Sequence, residues 1–100
     1  MGVECQVSGK YVTISVDGSF DVSCYDMFNN SYKSYLDQAG SMFIIDMART
    51  TYMDSSALGM LLLLRERTGG DKKRIKIVNV GKPVMEILKV AHFDQLFDIE

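Results

Sequence analysis

The chain is poor in residues that usually announce chemistry, with one histidine and two cysteines in 100 residues. Cys5 and Cys24 stand apart with no metal-ligand spacing. They read as small apolar or free-thiol positions, and a disulfide is disfavoured in a reducing compartment. His92 falls at the end of a helical pattern, where a positive charge suits the helix dipole. No Gly-x-Ser-x-Gly elbow surrounds any serine, and there is no glycine-rich phosphate loop of the Walker type. A hydrolase built from Ser55 or Ser56 with His92 and an aspartate is therefore disfavoured, as is a metal enzyme. Long apolar runs are also missing. The run Leu61–Leu64 falls far short of the roughly 18 residues a membrane span needs. No charged-then-apolar leader opens the chain, so a cytoplasmic protein without a membrane partner is expected. Eleven lysines and arginines face 13 carboxylates, for a formal charge of -2. That balance argues against electrostatic binding to nucleic acid. Repeats, linkers and low-complexity segments are absent too. With 47% hydrophobic and 24% charged residues, residues 1–100 read as one compact domain, by default a monomer.

Strand and helix periods alternate along the chain. Glu4–Val7 and Tyr11–Val16 predict a hairpin turning at Ser8-Gly9-Lys10, with Val12, Ile14 and Val16 on one face. Gly18 ends the second strand. From Ser23 to about Gln38, Phe28, Tyr32, Tyr35 and Leu36 fall at helical spacing, with Asp21 or Ser23 as the cap and Gly40 just beyond. Met42–Met47 predicts a strand, and its unbroken Phe43-Ile44-Ile45 run predicts burial on both faces. A helix from Asp54-Ser55-Ser56 stops near Gly69-Gly70. Asp71-Lys72-Lys73-Arg74 reads as a solvated turn rather than a patch for an acidic partner. Ile75–Val80 predicts a strand, and Pro83 suits the first turn of a last helix lined by Val84, Ile87, Leu88 and Ala91. Phe93, Leu96, Phe97 and Ile99 pack back onto the core, with room for a short terminal strand. The expected class is α/β, a mixed sheet of about four to five strands with helices packed against it.

The chemistry concentrates between Met42 and Arg65. Ala48–Tyr52 reads as a polar loop whose Arg49, Thr50 and Thr51 do not belong in a core. Asp54-Ser55-Ser56 then opens an apolar helix, where short oxygen-bearing side chains satisfy free amides. By local physics this is a cap. A phosphate here would also be tolerated, because free amides and the positive end of the dipole are near.

The run Ile45-Asp46-Met47 through Tyr52-Met53-Asp54-Ser55-Ser56-Ala57-Leu58-Gly59 resembles the signature of STAS domains, specifically bacterial anti-sigma-factor antagonists. Gly18-Ser19-Phe20-Asp21 is similar to the family's motif after the second strand. Val84-Met85-Glu86-Ile87-Leu88 and Phe93-Asp94-Gln95-Leu96-Phe97 are similar to its last helix and tail. Ala57 departs from the pattern, where glycine is common. The resemblance implies a binding protein rather than an enzyme, acting by partner switching and carrying no cofactor of its own. The unmodified form binds an anti-sigma factor that is also a serine kinase of the histidine-kinase-like ATPase fold. Phosphorylation at Ser56, with Ser55 as the alternative, dissolves that complex. A metal-dependent serine phosphatase reverses the modification. The implied contacts are Asp21, Val22 and Ser23, then Arg49, Thr50, Thr51, Tyr52 and Met53, then Asp54, Ser55 and Ser56. Tyr52 and Met53 are equally compatible with the core, while Ala57, Leu58, Leu61 and Leu62 are expected inside. A second reading keeps the fold but gives it a non-sigma partner in secretion, biofilm or stress signalling.

Overall fold

The computed structural model describes residues 2–38 and 40–100. Strands β1 (Val3–Ser8) and β2 (Tyr11–Val16) form the predicted antiparallel hairpin, with Ser8 opposite Tyr11. That register leaves a two-residue turn. Its first position, Gly9, has φ 60°, a conformation hairpin turns need and side chains resist. Three crossovers follow. Helix α1 (Tyr25–Lys33) leads to β4 (Met42–Asp46), α2 (Ser55–Arg67) to β6 (Ile75–Val78), and α3 (Lys82–Val90) to β7 (Asp98–Ile99). Two further strands, β3 (Gly18–Phe20) and β5 (Thr50–Met53), interrupt the first two connections.

The main sheet has the order β1-β2-β4-β6-β7, parallel from β2 onward. Strand order advances in one direction, so right-handed crossovers place all three helices on one face. Val12, Ile14, Val16, Phe43, Ile45, Ile75 and Ile77 are buried on that face. Thr13, Ser15, Met42, Ile44, Lys76 and Val78 on the other are only half-buried. The Phe43-Ile44-Ile45 run therefore does not mark a strand covered on both sides. β4 is central in order but has helices on one face only.

The core joins these layers through Phe20, Phe28, Tyr32 and Phe43, with successive ring centroids 5.1, 5.8 and 6.3 Å apart. Ala57, Met60, Leu61 and Leu64 enter it from α2, and Val84 and Leu88 from α3. Arg74 fastens the sheet to the turns below. Its Nε and Nη2 donate to the Ser41 carbonyl at 3.1 and 3.0 Å, and its Nη1 to the Thr68 carbonyl at 3.3 Å. This arginine of the basic turn is thus a structural tie.

Two local expectations are corrected. α1 is shorter than residues 23–38. Asp21 caps a 3₁₀ turn (Val22–Cys24) before it, and the chain leaves the helix after Lys33. Tyr35 and Leu36 still pack on the core from the turn beyond. Nor does the chain stop pairing at Gly18 or run as a loop from Ala48 to Tyr52. β3 and β5 pair in parallel, with Ser19 opposite Tyr52 and Phe20 opposite Met53. Thr50 is buried because its hydroxyl donates to the Val16 carbonyl at 2.7 Å, which satisfies it inside.

Candidate functional site

The small sheet delivers the chain to the start of α2. Phe20 O accepts from Asp54 N at 3.3 Å, so the end of β3 and the cap of α2 are held together. Asp54 is extended (φ -118°, ψ -172°), and its Oδ1 accepts from the Ala57 amide at 3.2 Å. The Asp54 carbonyl accepts from Leu58 N at 3.2 Å and closes the first turn. The amides of Ser55 and Ser56 belong to that turn too, where no carbonyl of the helix reaches them. The helix start is thus capped, yet retains free donors and the positive end of the dipole.

The two serines differ in outlook. Ser55 is exposed and Ser56 half-buried. Ser56 lies about three turns before Arg67 and so on the same side of α2. The Arg67 Nη1 donates to the Tyr32 hydroxyl at 3.5 Å, which identifies that side as the one facing α1. On α1, Tyr25 lies about two turns before Tyr32 and so on the same side of that helix. Ser55 instead heads an outward stripe of Gly59, Leu62 and Glu66, all exposed.

Asp21 enters from the loop after β3. Its carboxylate accepts from Ser23 Oγ at 2.5 Å, Ser23 N at 2.9 Å and Ser19 Oγ at 3.1 Å. These donors, the Ser23 hydroxyl foremost, hold the Asp21 carboxyl below the usual carboxylate range. The turn is therefore a preformed charged corner next to the α2 cap.

The structure sorts the expected contacts. Asp21, Ser23, Tyr52, Asp54, Ser55 and Ser56 come together at one end of the helix layer. Thr50 and Met53 are buried at 7% and 1% exposure, so neither side chain meets a partner in this state. Tyr52, by contrast, is 55% exposed. Arg49 and Thr51 are exposed as well. Arg49 stands before β5, about 16 Å along the strand from Asp54. It lines a separate cleft of about 300 Å³ with Glu4, Ser15, Asp17 and Asp46. Asp46 is fixed there, accepting from Ala48 N at 3.0 Å and Asn79 Nδ2 at 3.1 Å. Of the four residues expected inside α2, Ala57 and Leu61 are buried and Leu58 is half-buried. Leu62 is 41% exposed, which corrects its assignment to the core.

Val22, an expected contact, is 68% exposed, and the sequence reading missed only Tyr25, 49% exposed, which joins Val22 and Tyr52 as an apolar border. Tyr25 read as part of an amphipathic helix. The serines and the histidine do not come together. His92 follows the far end of α3, while Ser55 and Ser56 stand at the opposite, starting end of the parallel helix α2. Among the described residues no group of three or more His, Cys, Asp or Glu is placed to hold a metal. No helix among them is long and apolar enough to cross a membrane.

Comparison with known proteins gives a consistent result. The family model described as the Mlab, STAS domain matches residues 3–98. A STAS-domain containing protein of Pseudomonas aeruginosa strain UCBPP-PA14 is 38% identical over 91 residues, covering 91% of this chain and 89% of the relative. An anti-sigma factor antagonist from Mycobacterium paratuberculosis superposes with a TM-score of 0.82 at 15% identity, covering 97% of this chain and 82% of that one. The Bacillus cell fate determinant SpoIIAA in its phosphorylated form superposes with a TM-score of 0.73 at 16% identity, over 98% and 90% of the two chains. SpoIIAA in its unphosphorylated form gives 0.75 at 17% identity, over 98% and 86%. At these identities the structural likeness is one of fold.

Proposed function

This chain belongs to the STAS domain family, and from that premise we propose that it is an anti-sigma factor antagonist working by partner switching. Its unphosphorylated form binds an anti-sigma factor that is also a serine kinase of the histidine-kinase-like ATPase fold. Transfer of phosphate to Ser56 releases the kinase, and a metal-dependent serine phosphatase restores the binding form. ATP and magnesium reside in the kinase, so this chain is ligand and substrate rather than enzyme. The observation that carries the reading is the capped start of α2, where Asp54 holds the first turn and helical spacing turns Ser56 to the side that carries Arg67. SpoIIAA, similar in fold, exists in phosphorylated and unphosphorylated forms, which supports a fold of this kind accepting a phosphate.

The physics of release follows from charge. A phosphoserine adds about -1.5 to -2 charges at neutral pH. The new charge lands beside Asp54 and Asp21, and docking would strip its water. Like charges juxtaposed in an interface cost several kcal/mol, and about 2.8 kcal/mol already weakens binding 100-fold. The fold itself is spared, because the free amides and dipole of α2 offset the phosphate. Release therefore acts on the interface rather than by unfolding.

Ser56→Ala is expected to stay folded and to form a kinase complex that ATP no longer dissolves, read by intact-mass spectrometry and gel filtration. Stoichiometric phosphorylation of that variant would transfer the role to Ser55. Ser56→Asp is expected to weaken kinase binding about 10- to 100-fold, with stability changed by no more than about 0.5 kcal/mol. Unchanged affinity would overturn the electrostatic account.

A further inference from the structure

The two edges of the main sheet are finished differently. β7 closes one edge with two residues, and beside it Lys76 Nζ pairs with the Glu100 carboxylate at 3.1 Å. β1 leaves the other edge open along six residues, Val-Glu-Cys-Gln-Val-Ser. It carries none of the devices that blunt an edge: no proline, no lysine and no bulge in its pairing with β2. Glu4 is its one charge.

The pairing with β2 decides which backbone groups face outward. Bonded and non-bonded pairs alternate along an antiparallel ladder. Asp17 N donates to Gly2 O at 2.6 Å, in the same register that sets Ser8 opposite Tyr11. Gly2, Glu4, Gln6 and Ser8 therefore turn their amides and carbonyls to β2, while Val3, Cys5 and Val7 turn theirs to the open edge. The side chains of those three residues lie on the helix side, opposite Val16, Ile14 and Val12. These β2 partners are buried, yet Cys5 is exposed and Val7 is 44% exposed. α1 packs over β1. Its Met27, 48% exposed, lies on the flank away from the Tyr32–Arg67 contact with α2. Apolar surface and outward-facing backbone thus coincide along one edge.

The strand is complementary to itself. A two-fold axis normal to the sheet runs two copies of β1 antiparallel and keeps both helix layers on one side. The outward-facing residues then pair with one another. With Cys5 on the axis, Val3 meets the partner's Val7, Glu4 meets the partner's Gln6, and about six main-chain hydrogen bonds form. Slipping two residues one way sets the two Glu4 carboxylates directly opposite, which like charges disfavour. Slipping two the other way sets Val3 against Gly9 of the turn, which has left the strand.

We propose that the protein forms a symmetric dimer through β1, in place of the monomer expected from the sequence. Two five-stranded sheets become one continuous sheet. The dimer does not depend on the partner-switching function. α2 connects β5 to β6, away from the β1 edge, so each copy keeps its serine pair clear of the contact.

Sedimentation equilibrium of the purified chain is expected to show its mass rise from 11.2 kDa to twice that value as concentration increases. The midpoint should be on the order of 10–100 μM. Val7→Lys sets a charge on the joint, and Cys5→Pro removes an outward amide while sparing the bonds to β2. Each should weaken association at least about 10-fold. A short bismaleimide should join two copies through Cys5, whose Cα atoms the register holds about 5.5 Å apart. Val7→Lys should abolish that joining although it leaves the thiol in place. Circular dichroism checks the fold of each variant. Should Cys5→Pro fail to fold, Val7→Lys, at an exposed position, decides. A monomer at every concentration up to about 1 mM would overturn the dimer. So would wild-type association in Val7→Lys, or cross-linking of that variant as fast as wild type.

Discussion

The five-stranded sheet and the two-stranded sheet of this molecule differ in how they are held. In the large sheet, β1 and β2 pair over six positions and β2 and β4 over five, without a break in register. Its helix-side residues in β2, β4 and β6 are almost fully removed from water. The small sheet pairs three residues with four, and its register shifts between Gly18 and Ser19. It is fastened to the large one by the Thr50 hydroxyl, which donates to Val16 O. Burial along β2, β4 and β6 thus fixes the large sheet, while the small one is held by Phe20 and Met53 in the core and by a few directed hydrogen bonds. The second kind of order suits a site, because it orients Asp21, Tyr52 and Asp54 while leaving their surfaces free.

The comparison can be broken at three places. Leu61→Ala removes a fully buried side chain beneath the large sheet and should cost about 2–5 kcal/mol. Urea denaturation should then show both sheets melting in one transition at lower midpoint. Separate transitions would mean that the small sheet stands alone. Thr50→Val keeps shape but deletes the donor to Val16 O, for a loss of about 1–3 kcal/mol. Hydrogen exchange should report faster opening at residues 18–20 and 50–53 than in β2, β4 or β6. Uniform acceleration would show the two sheets to be one cooperative unit. Asp21→Asn gives the smallest effect, and one that depends on pH. The Asp21 carboxyl lies below its ordinary range in the folded chain. Its contribution is present above the unfolded-state value near pH 4 and disappears as pH falls through the lower folded value. The stability gap between wild type and Asp21→Asn should therefore be visible at pH 7 and narrow progressively as pH falls below about 4. A gap that persists in acid would assign the effect to hydrogen-bond geometry alone.

The same contrast decides what was legible in the sequence. The hairpin, β4, β6, α2 and α3 followed from apolar spacing and from Gly9, Gly69-Gly70 and Pro83, because burial writes itself into periodicity. The Asp54 cap and the serine pair were visible for a local reason, since capping partners are three residues apart. β3 and β5 were not visible. Gly18-Ser19-Phe20 is too short to show a period, and its partner lies about thirty positions away. Thr50 looked like a loop residue because the carbonyl that satisfies it belongs to β2. Met53 could be core or surface until that pairing was known. Leu62 shows the converse limit. In a helix apolar on nearly every side, periodicity cannot tell which leucine faces water.

The parallel pairings of β2 with β4 and of β4 with β6 each join residues about thirty positions apart, such as Val12 with Phe43 and Phe43 with Ile75. Such contacts form only after a whole helical crossover has closed, which makes for slow folding relative to helical bundles of this size. A signalling cycle that required the chain to unfold and refold would inherit that delay at every turn. Under the function proposed above, a surface whose charge alone changes is free of it, and one folded molecule would serve many rounds of exchange between partners.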